Sequence, residues 1–264
     1  MPYQEQFLPA VLIVLSTSVF LVVERVVPGR ALPNSRGWYG RAGLMNLLQL
    51  GLIGLGGLTW NRYFRGHALL QIGGWSNPIL EGLFYWFVGT FVFYWWHRLR
   101  HARGFWLLFH QIHHSPSRIE VLTSFYKHPL EIAADSILTG LLIYCVMGGT
   151  AEAGAWTSLF GATGDYFYHA NIRTPKWLGY LIQRPEHHAI HHQLDVHHYN
   201  YGDLTLWDRL FGTFKEAEGF VSACGFPGSG EARLADMLCF RDVYASSARL
   251  ETPPPHDPQP QHGE

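Results

Sequence analysis

FYWWHRLRHARGFWLLFHQIHH, residues Phe93 to His114, decides how this chain is read. An aromatic, uncharged run ends at His97, and His101, His110, His113 and His114 follow. The spacings are H-x3-H and H-x2-H-H. Residues three and four apart share a face of an α-helix. His97 and His101 are therefore expected to point one way, and His110, His113 and His114 to point together. Residues 185–192 (PEHHAIHH) repeat H-x2-H-H with His188, His191 and His192, and His187 stands beside them. A buried polar group without a partner costs about 1–3 kcal/mol, so eight clustered imidazoles call for something that binds their lone pairs. Neutral imidazole is the commonest metal ligand and suits iron, zinc and copper. A four-coordinate zinc takes three or four protein ligands, so this number of histidines implies two ions. The carboxylates are not at the positions of a di-iron helix bundle, which needs paired Glu-x-x-His motifs.

Outward from this stretch the chain reads as membrane helices. Phe7–Val23 carries no charge and is long enough to cross a bilayer with help from its flanks. It lacks the basic n-region and A-x-A site of a cleaved leader, so a span is expected. Leu44–Trp60 is a second uncharged run, and Ile79–Trp96 is a third expected span, with Glu81 near its start and with Trp95 and Trp96 suited to the membrane–water interface. Ser136–Ala151 and Ala153–Tyr168 are expected to form a helical hairpin dipping through the bilayer, with Asp135 and Asp165 near its ends on one side. The fold class is thus all-α: an integral membrane protein with about four to five transmembrane or re-entrant helices and a cytosolic helical cap carrying a dimetal site. The expected divisions are N-terminal membrane helices at 1–78, a catalytic domain at 79–215, a C-terminal extension at 216–250 and a Pro-rich disordered tail at 251–264.

The loop after the first span holds Arg25, Arg30, Arg36 and Arg41. Basic loops face the cytoplasm, which places His97 and His169 on that side. The formal net charge of −1 gives no sign of nucleic-acid binding, and Cys145, Cys224 and Cys239 form no CxxC pair. Packing is the expected role of Trp207, Leu210 and Phe211.

FYWWHRLRH, FHQIHHS, KHPLE, YHAN, RPEHHAIHH and NYGDLTLWDRLFGTF, in this order, resemble signatures of the fatty acid hydroxylase/sterol desaturase superfamily. The resemblance covers roughly residues 79–215. It implies an integral-membrane, non-haem di-iron oxygenase that hydroxylates or desaturates a lipid with O2. It also implies metal ligands at His97, His101, His110, His113, His114, His169, His188, His191 and His192. Some hydroxylases of the family have H-x3-H where this chain has Asp165-x3-His169, so Asp165 is a candidate ligand or partner to a ligand. His187 and His128 are further candidates, and His197 and His198 are candidates for supporting or gating roles. No residue is assigned to catalysis beyond the ligands.

Two iron ions are the implied cofactors, with zinc a possible occupant after purification. The chain holds no haem, flavin or ferredoxin pattern, so a separate cytosolic electron carrier (a b-type cytochrome or a ferredoxin) is implied. Arg98, Arg100 and Arg103 are candidates for docking it, but holding lipid phosphates beside the membrane is the role favoured for them. Two other functions are open to the same histidines. One is a zinc-dependent membrane hydrolase using Glu186 or Asp165 as acid–base. The other is a non-catalytic metal-binding protein.

Overall fold

The computed structural model describes residues 7–251, and the greater part of the proposed Pro-rich tail, with His256 and His262, lies outside them. The described chain is helical, and its β-pairing is confined to an isolated bridge between Gln193 and Cys224. The long helices are α1 (Phe7–Val26), α2 (Trp38–Leu58), continued by α3 (Trp60–Phe64), and α4 (Pro78–Arg100). A short α5 (Arg103–Phe105) and a π-helical turn (Trp106–His110) lead into α6 (Gln111–His114). Then come α7 (Pro129–Gly140), prolonged by a π-helical turn (Leu141–Val146), and α8 (Ala151–His169). Short helices follow: α9 (Pro185–His191), α10 (Thr205–Leu210), α11 (Leu234–Leu238) and α12 (Val243–Glu251).

Local chemistry sets these boundaries. Asn77 caps α4 by accepting from the N–H groups of Ile79 and Leu80, with Pro78 in the first turn. His128 caps α7 through Leu130 N–H, ahead of Pro129, and Thr150 caps α8 through Ala153 N–H. Gly148, at φ 71°, closes the turn between α7 and α8 in a conformation that glycine adopts without a Cβ clash.

Among the described residues, three stretches are long and apolar enough to cross a membrane: Phe7–Val26, Trp38–Phe64 and Pro129–Val146. The third begins before the apolar run at 136, because Pro129, Leu130, Ile132 and two alanines start the helix earlier. Ile79–Trp96, expected to be a span, lies in α4, which has the length at 23 residues. Its tryptophans, tyrosines and glycines make it less apolar, and it is not among the three. Instead α4 packs against α8, where Thr157 Oγ1 donates to Gly82 O at 3.1 Å. On the other side, α8 meets α1 through Phe20 and Phe167. Asn46 on α2 donates to Leu122 O ahead of α7, and Trp60 on α3 donates to Ser136 on α7.

The C-terminal ends of α1, α4 and α8 and the N-terminal ends of α2 and α7 meet at one face of the bundle. There Gly29 N–H donates to Asn171 O at 2.7 Å, and Arg100 pairs with Glu131. Three of the four arginines between Arg25 and Arg41 are engaged inside the protein. Arg25 meets Glu120 at 2.8 Å, Arg30 donates to Val221 O at 2.8 Å, and Arg41 lies 3.8 Å from Glu231. Much of that charge is therefore balanced locally rather than offered to lipid. The segment after residue 216 is not a separate appendage. Phe226, Leu234, Met237 and Val243 share a core with Trp38, Ala42, Met45, Ile112 and Tyr126. Leu210 departs from its expected packing role, being 63% exposed.

Candidate metal centre

The histidines gather at that face in two groups. Nitrogens of His97, His101, His110, His114 and His191 lie within 4.8 Å of one another, and so do those of His113, His169, His188 and His192. All nine positions singled out in the sequence are thus brought together, but not as the helical spacing suggested. His110 and His114 enter the first group, whereas His113 enters the second. His188 and His192 enter the second, whereas His191 enters the first. At about 100° per residue, positions i and i+4 differ by about 40°, while i+3 points about 60° the other way. Each H-x2-H-H motif therefore serves both groups. The groups abut, with the rings of His114 and His192 stacked 4.3 Å apart.

Backbone carbonyls fix the tautomers. His97 Nδ1 lies 2.8 Å from Tyr201 O, His191 Nδ1 lies 2.7 Å from Tyr199 O, and His169 Nδ1 lies 2.8 Å from Asp165 O. A carbonyl only accepts, so each Nδ1 carries the proton and each Nε2 offers a bare lone pair. His110 Nδ1 faces Glu131 Oε1 at 3.0 Å. The Nε2 atoms nevertheless face one another: His97 and His110 at 3.0 Å, His110 and His114 at 3.2 Å, His169 and His188 at 3.0 Å, His188 and His192 at 3.1 Å. His113 and His169 stand 3.4 Å apart, and His101 Nε2 and His191 Nε2 are buried without a partner. Lone pairs aimed at each other repel unless a cation stands between them. With metal–nitrogen bonds of about 2.1 Å, ligands at right or tetrahedral angles are separated by about 3.0–3.4 Å, so these residues fit one ion per group. Burial also holds the rings neutral. It lowers His101, His110, His113, His114, His188 and His192 well below the usual imidazole range, and His191 to about 3.

The loop at 197–204, whose residues were not assigned to the metal set, supplies two of these anchors. Asn200 takes a left-handed φ of 56°, which asparagine tolerates better than most residues. Its side chain is pinned by His187 O, Lys215 O and Lys215 N–H. The flanking carbonyls of Tyr199 and Tyr201 can then meet His191 and His97. Asp208 holds the loop by accepting from Tyr201 and Gly202 N–H, both at 2.8 Å. Glu131 was likewise unassigned, although the run KHPLE contains it. Its position as an acid in the first turn of an apolar helix, with Arg100 available, was the readable signal.

The remaining candidates stand outside both groups. Asp165 contributes its backbone carbonyl, while its carboxylate accepts from the Tyr168 hydroxyl. His187 turns away to Glu216 at 2.8 Å, and His128 caps α7. Glu186 is committed to Thr174 and Arg184. Arg100 is buried against Glu131 and Asp135, so it is not a docking residue. His197 lies beside His114, with ring centroids 5.0 Å apart, and His198 is exposed. A cavity of about 570 Å³ opens to the outside, lined by Arg98, Arg103, His197 and His198 among others, and reaches His101.

The region that matches a known family contains all nine of these histidines. Residues 82–213 match the fatty acid hydroxylase family. Alkylglycerol monooxygenase from Xenopus tropicalis is 27% identical over 59% of this chain and 34% of its own length. Lathosterol oxidase from Rattus norvegicus is 26% identical over 56% of this chain and 49% of its own. Ornithine lipid hydroxylase OlsE from Rhizobium tropici is 28% identical over 55% of this chain and 50% of its own. The matched region spans about a third to a half of these relatives' lengths. No solved structure gave a significant match.

Proposed function

The chain belongs to the fatty acid hydroxylase family, and from that footing we propose that it is a membrane-bound, non-haem di-iron oxygenase acting on an unactivated C–H bond of a lipid. Hydroxylation or desaturation would use O2 and electrons from a separate cytosolic carrier. The relatives named above are a lipid monooxygenase, a sterol oxidase and a lipid hydroxylase. The observation that carries the reading is the set of bare Nε2 atoms facing one another at 3.0–3.4 Å in two groups. His97, His101, His110, His114 and His191 would hold one iron, and His113, His169, His188 and His192 the other. Five imidazoles in one group exceed what a tetrahedral zinc site uses. Two irons there would supply dioxygen activation and hydrogen removal, giving an alcohol or an alkene.

The protein's own part is positioning. The Tyr199 and Tyr201 carbonyls and Glu131 hold the imidazoles in one tautomer and orientation, as partners behind metal ligands do. Burial keeps water from the rings and keeps them unprotonated. The site stands where helices end, so an acyl chain could enter sideways from the bilayer. The cytoplasm is the side proposed for it, because the loop at 27–37 shares this face. A zinc hydrolase would need a carboxylate beside the metal. The carboxylates considered for that task, Glu186 and Asp165, are engaged elsewhere.

Metal analysis of detergent-purified protein tests the proposal. About two irons per chain with the Mössbauer signature of a coupled pair, falling to about one in His113→Ala and more weakly retained in His191→Ala, together with O2 uptake tied to a lipid product, are expected. Stoichiometric zinc that persists through iron-replete expression, with no O2 uptake under reduction, would overturn it.

A further inference from the structure

Resting on the oxygenase reading, we infer that the substrate is a lipid with an anionic headgroup, gripped by Arg98 and Arg103 while a carbon close to the headgroup sits against His101. The cavity that Arg98 and Arg103 line also reaches His101, the one member of the two imidazole groups that is not fully buried. Neither arginine has a carboxylate within ion-pair distance among the described residues, although Arg100 between them is fully engaged with Glu131 and Asp135. Arg100 at the end of α4 thus turns inward, while Arg98 before it and Arg103 in α5 stand at the cavity. Asp195 accepts from the hydroxyl of Tyr244, which lines the cavity. Guanidinium groups match phosphate and carboxylate oxygens in paired, charge-assisted hydrogen bonds.

A second observation says that the anion comes with an acyl chain. Phe87, Phe91, Trp95 and Leu99 follow one another at four-residue spacing on α4, and each is 39–44% exposed. Trp207 of α10 packs on Phe87 and Phe91, and Leu206 and Leu210 of the same helix are also exposed. The apolar strip on α4 ends at Arg98, whose guanidinium lies 5.0 Å from the Trp95 ring centroid. Apolar surface that terminates in tryptophan and arginine is what a protein presents at the membrane–water boundary. A lipid lying on the strip puts its headgroup at the arginines. Phe87 lies about 16 Å further down, at 1.5 Å per residue. The distal carbons of the chain are then far from His101, and the proximal carbons are near it.

The test is lipid retention by the full-length protein, purified from mixed micelles containing phosphatidylglycerol and phosphatidylcholine and read by native mass spectrometry. Wild type should retain phosphatidylglycerol over phosphatidylcholine by roughly tenfold, and the R98Q/R103Q variant by less than about twofold. R103Q alone changes an exposed side chain and should lose part of the preference, which covers a failure of the double variant to fold. Equal retention of the two lipids by wild type would overturn the inference, as would an unchanged preference in R103Q and R98Q/R103Q. An unchanged preference with slowed reduction by an acidic carrier would assign the arginines to protein docking instead. Iron content of the same samples separates the two claims. Two irons without a lipid preference overturn the headgroup inference alone, while a lipid preference without bound metal overturns the oxygenase reading.

Discussion

The five-imidazole and four-imidazole groups are built from the same motif and differ in support. The first is held from outside by the carbonyls of Tyr199 and Tyr201 and the carboxylate of Glu131, and it reaches the cavity through His101. The second is wholly buried, and its backbone anchor is Asp165 O. The stretches His110–His114 and His188–His192 each give two nitrogens to one group and one to the other. The doubled H-x2-H-H is therefore an interlock rather than two sites laid side by side. The first group needs both stretches and the end of α4, and the second needs both stretches and the end of α8. What distinguishes the groups is redundancy: the first keeps four imidazoles after losing one, while the second falls to three.

Removing a ligand from each group should give the largest contrast. His188→Ala is expected to lose one of two iron equivalents and to lower turnover by at least about 100-fold, since a three-imidazole site lacks the usual complement. His101→Ala should keep both irons, with weaker retention of one. Iron per chain after a chelator challenge and gel filtration checks this. Equal loss in the two variants would break the comparison.

Metal-free protein should show how much of the fold depends on neutral imidazoles. Burial lowers His191 from the ordinary 6.5 to about 3 and moves His113, His114 and His192 the same way. The unfolded chain then binds more protons than the folded one between those limits. Stability is full above about 6.5 and is lost as pH falls through the window toward about 3. The Tm of metal-free protein should drop clearly between about pH 7.5 and about pH 5, whereas iron-loaded protein should hold further down. Equal Tm values for the metal-free form at both pH values would mean that the rings are not held neutral by burial.

A smaller effect is expected behind the first group. Glu131 accepts from His110 Nδ1 and also pairs with buried Arg100. Glu131→Gln keeps the shape and weakens both bonds. Iron affinity should fall by about 10- to 100-fold, the usual cost of losing a partner behind a ligand, with the iron count unchanged at saturating metal. Competition with a calibrated chelator measures it.

The sequence made the histidines legible because polar residues clustered at the ends of apolar runs have few structural explanations. Spans α1 and α2 were legible from their lack of charge. What was hidden depends on rotation and on distance along the chain. The π-helical turn at Trp106–His110 inserts itself just before His110, and no propensity announces it. The separation of His113 from His110 follows from a 60° difference that a one-face reading ignores. The roles of Tyr199 and Tyr201 lie in their carbonyls, which every residue possesses, so side-chain chemistry could not mark them. Asp208 works through backbone N–H groups for the same purpose. Arg100 looked like an exposed member of a basic cluster, and only its pairing with Glu131, 31 residues away, buries it.

Asp165 gives the smallest expected effect and the sharpest test of that distinction between side chain and backbone. Where relatives of the H-x3-H kind would place an imidazole, this chain places a carboxylate that points to the Tyr168 hydroxyl, and Tyr168 also reaches Asp203 at 3.2 Å. The anchor for His169 is the carbonyl of the same residue, at 2.8 Å. Asp165→Asn leaves that carbonyl in place and can still accept from Tyr168. Iron affinity of the four-imidazole group should therefore change far less than the 10- to 100-fold expected when a partner behind a ligand is lost. A loss as large as that in Glu131→Gln would make the carboxylate a ligand or a direct support. The four-imidazole group would then have five donors like its neighbour, and the asymmetry between the groups would disappear.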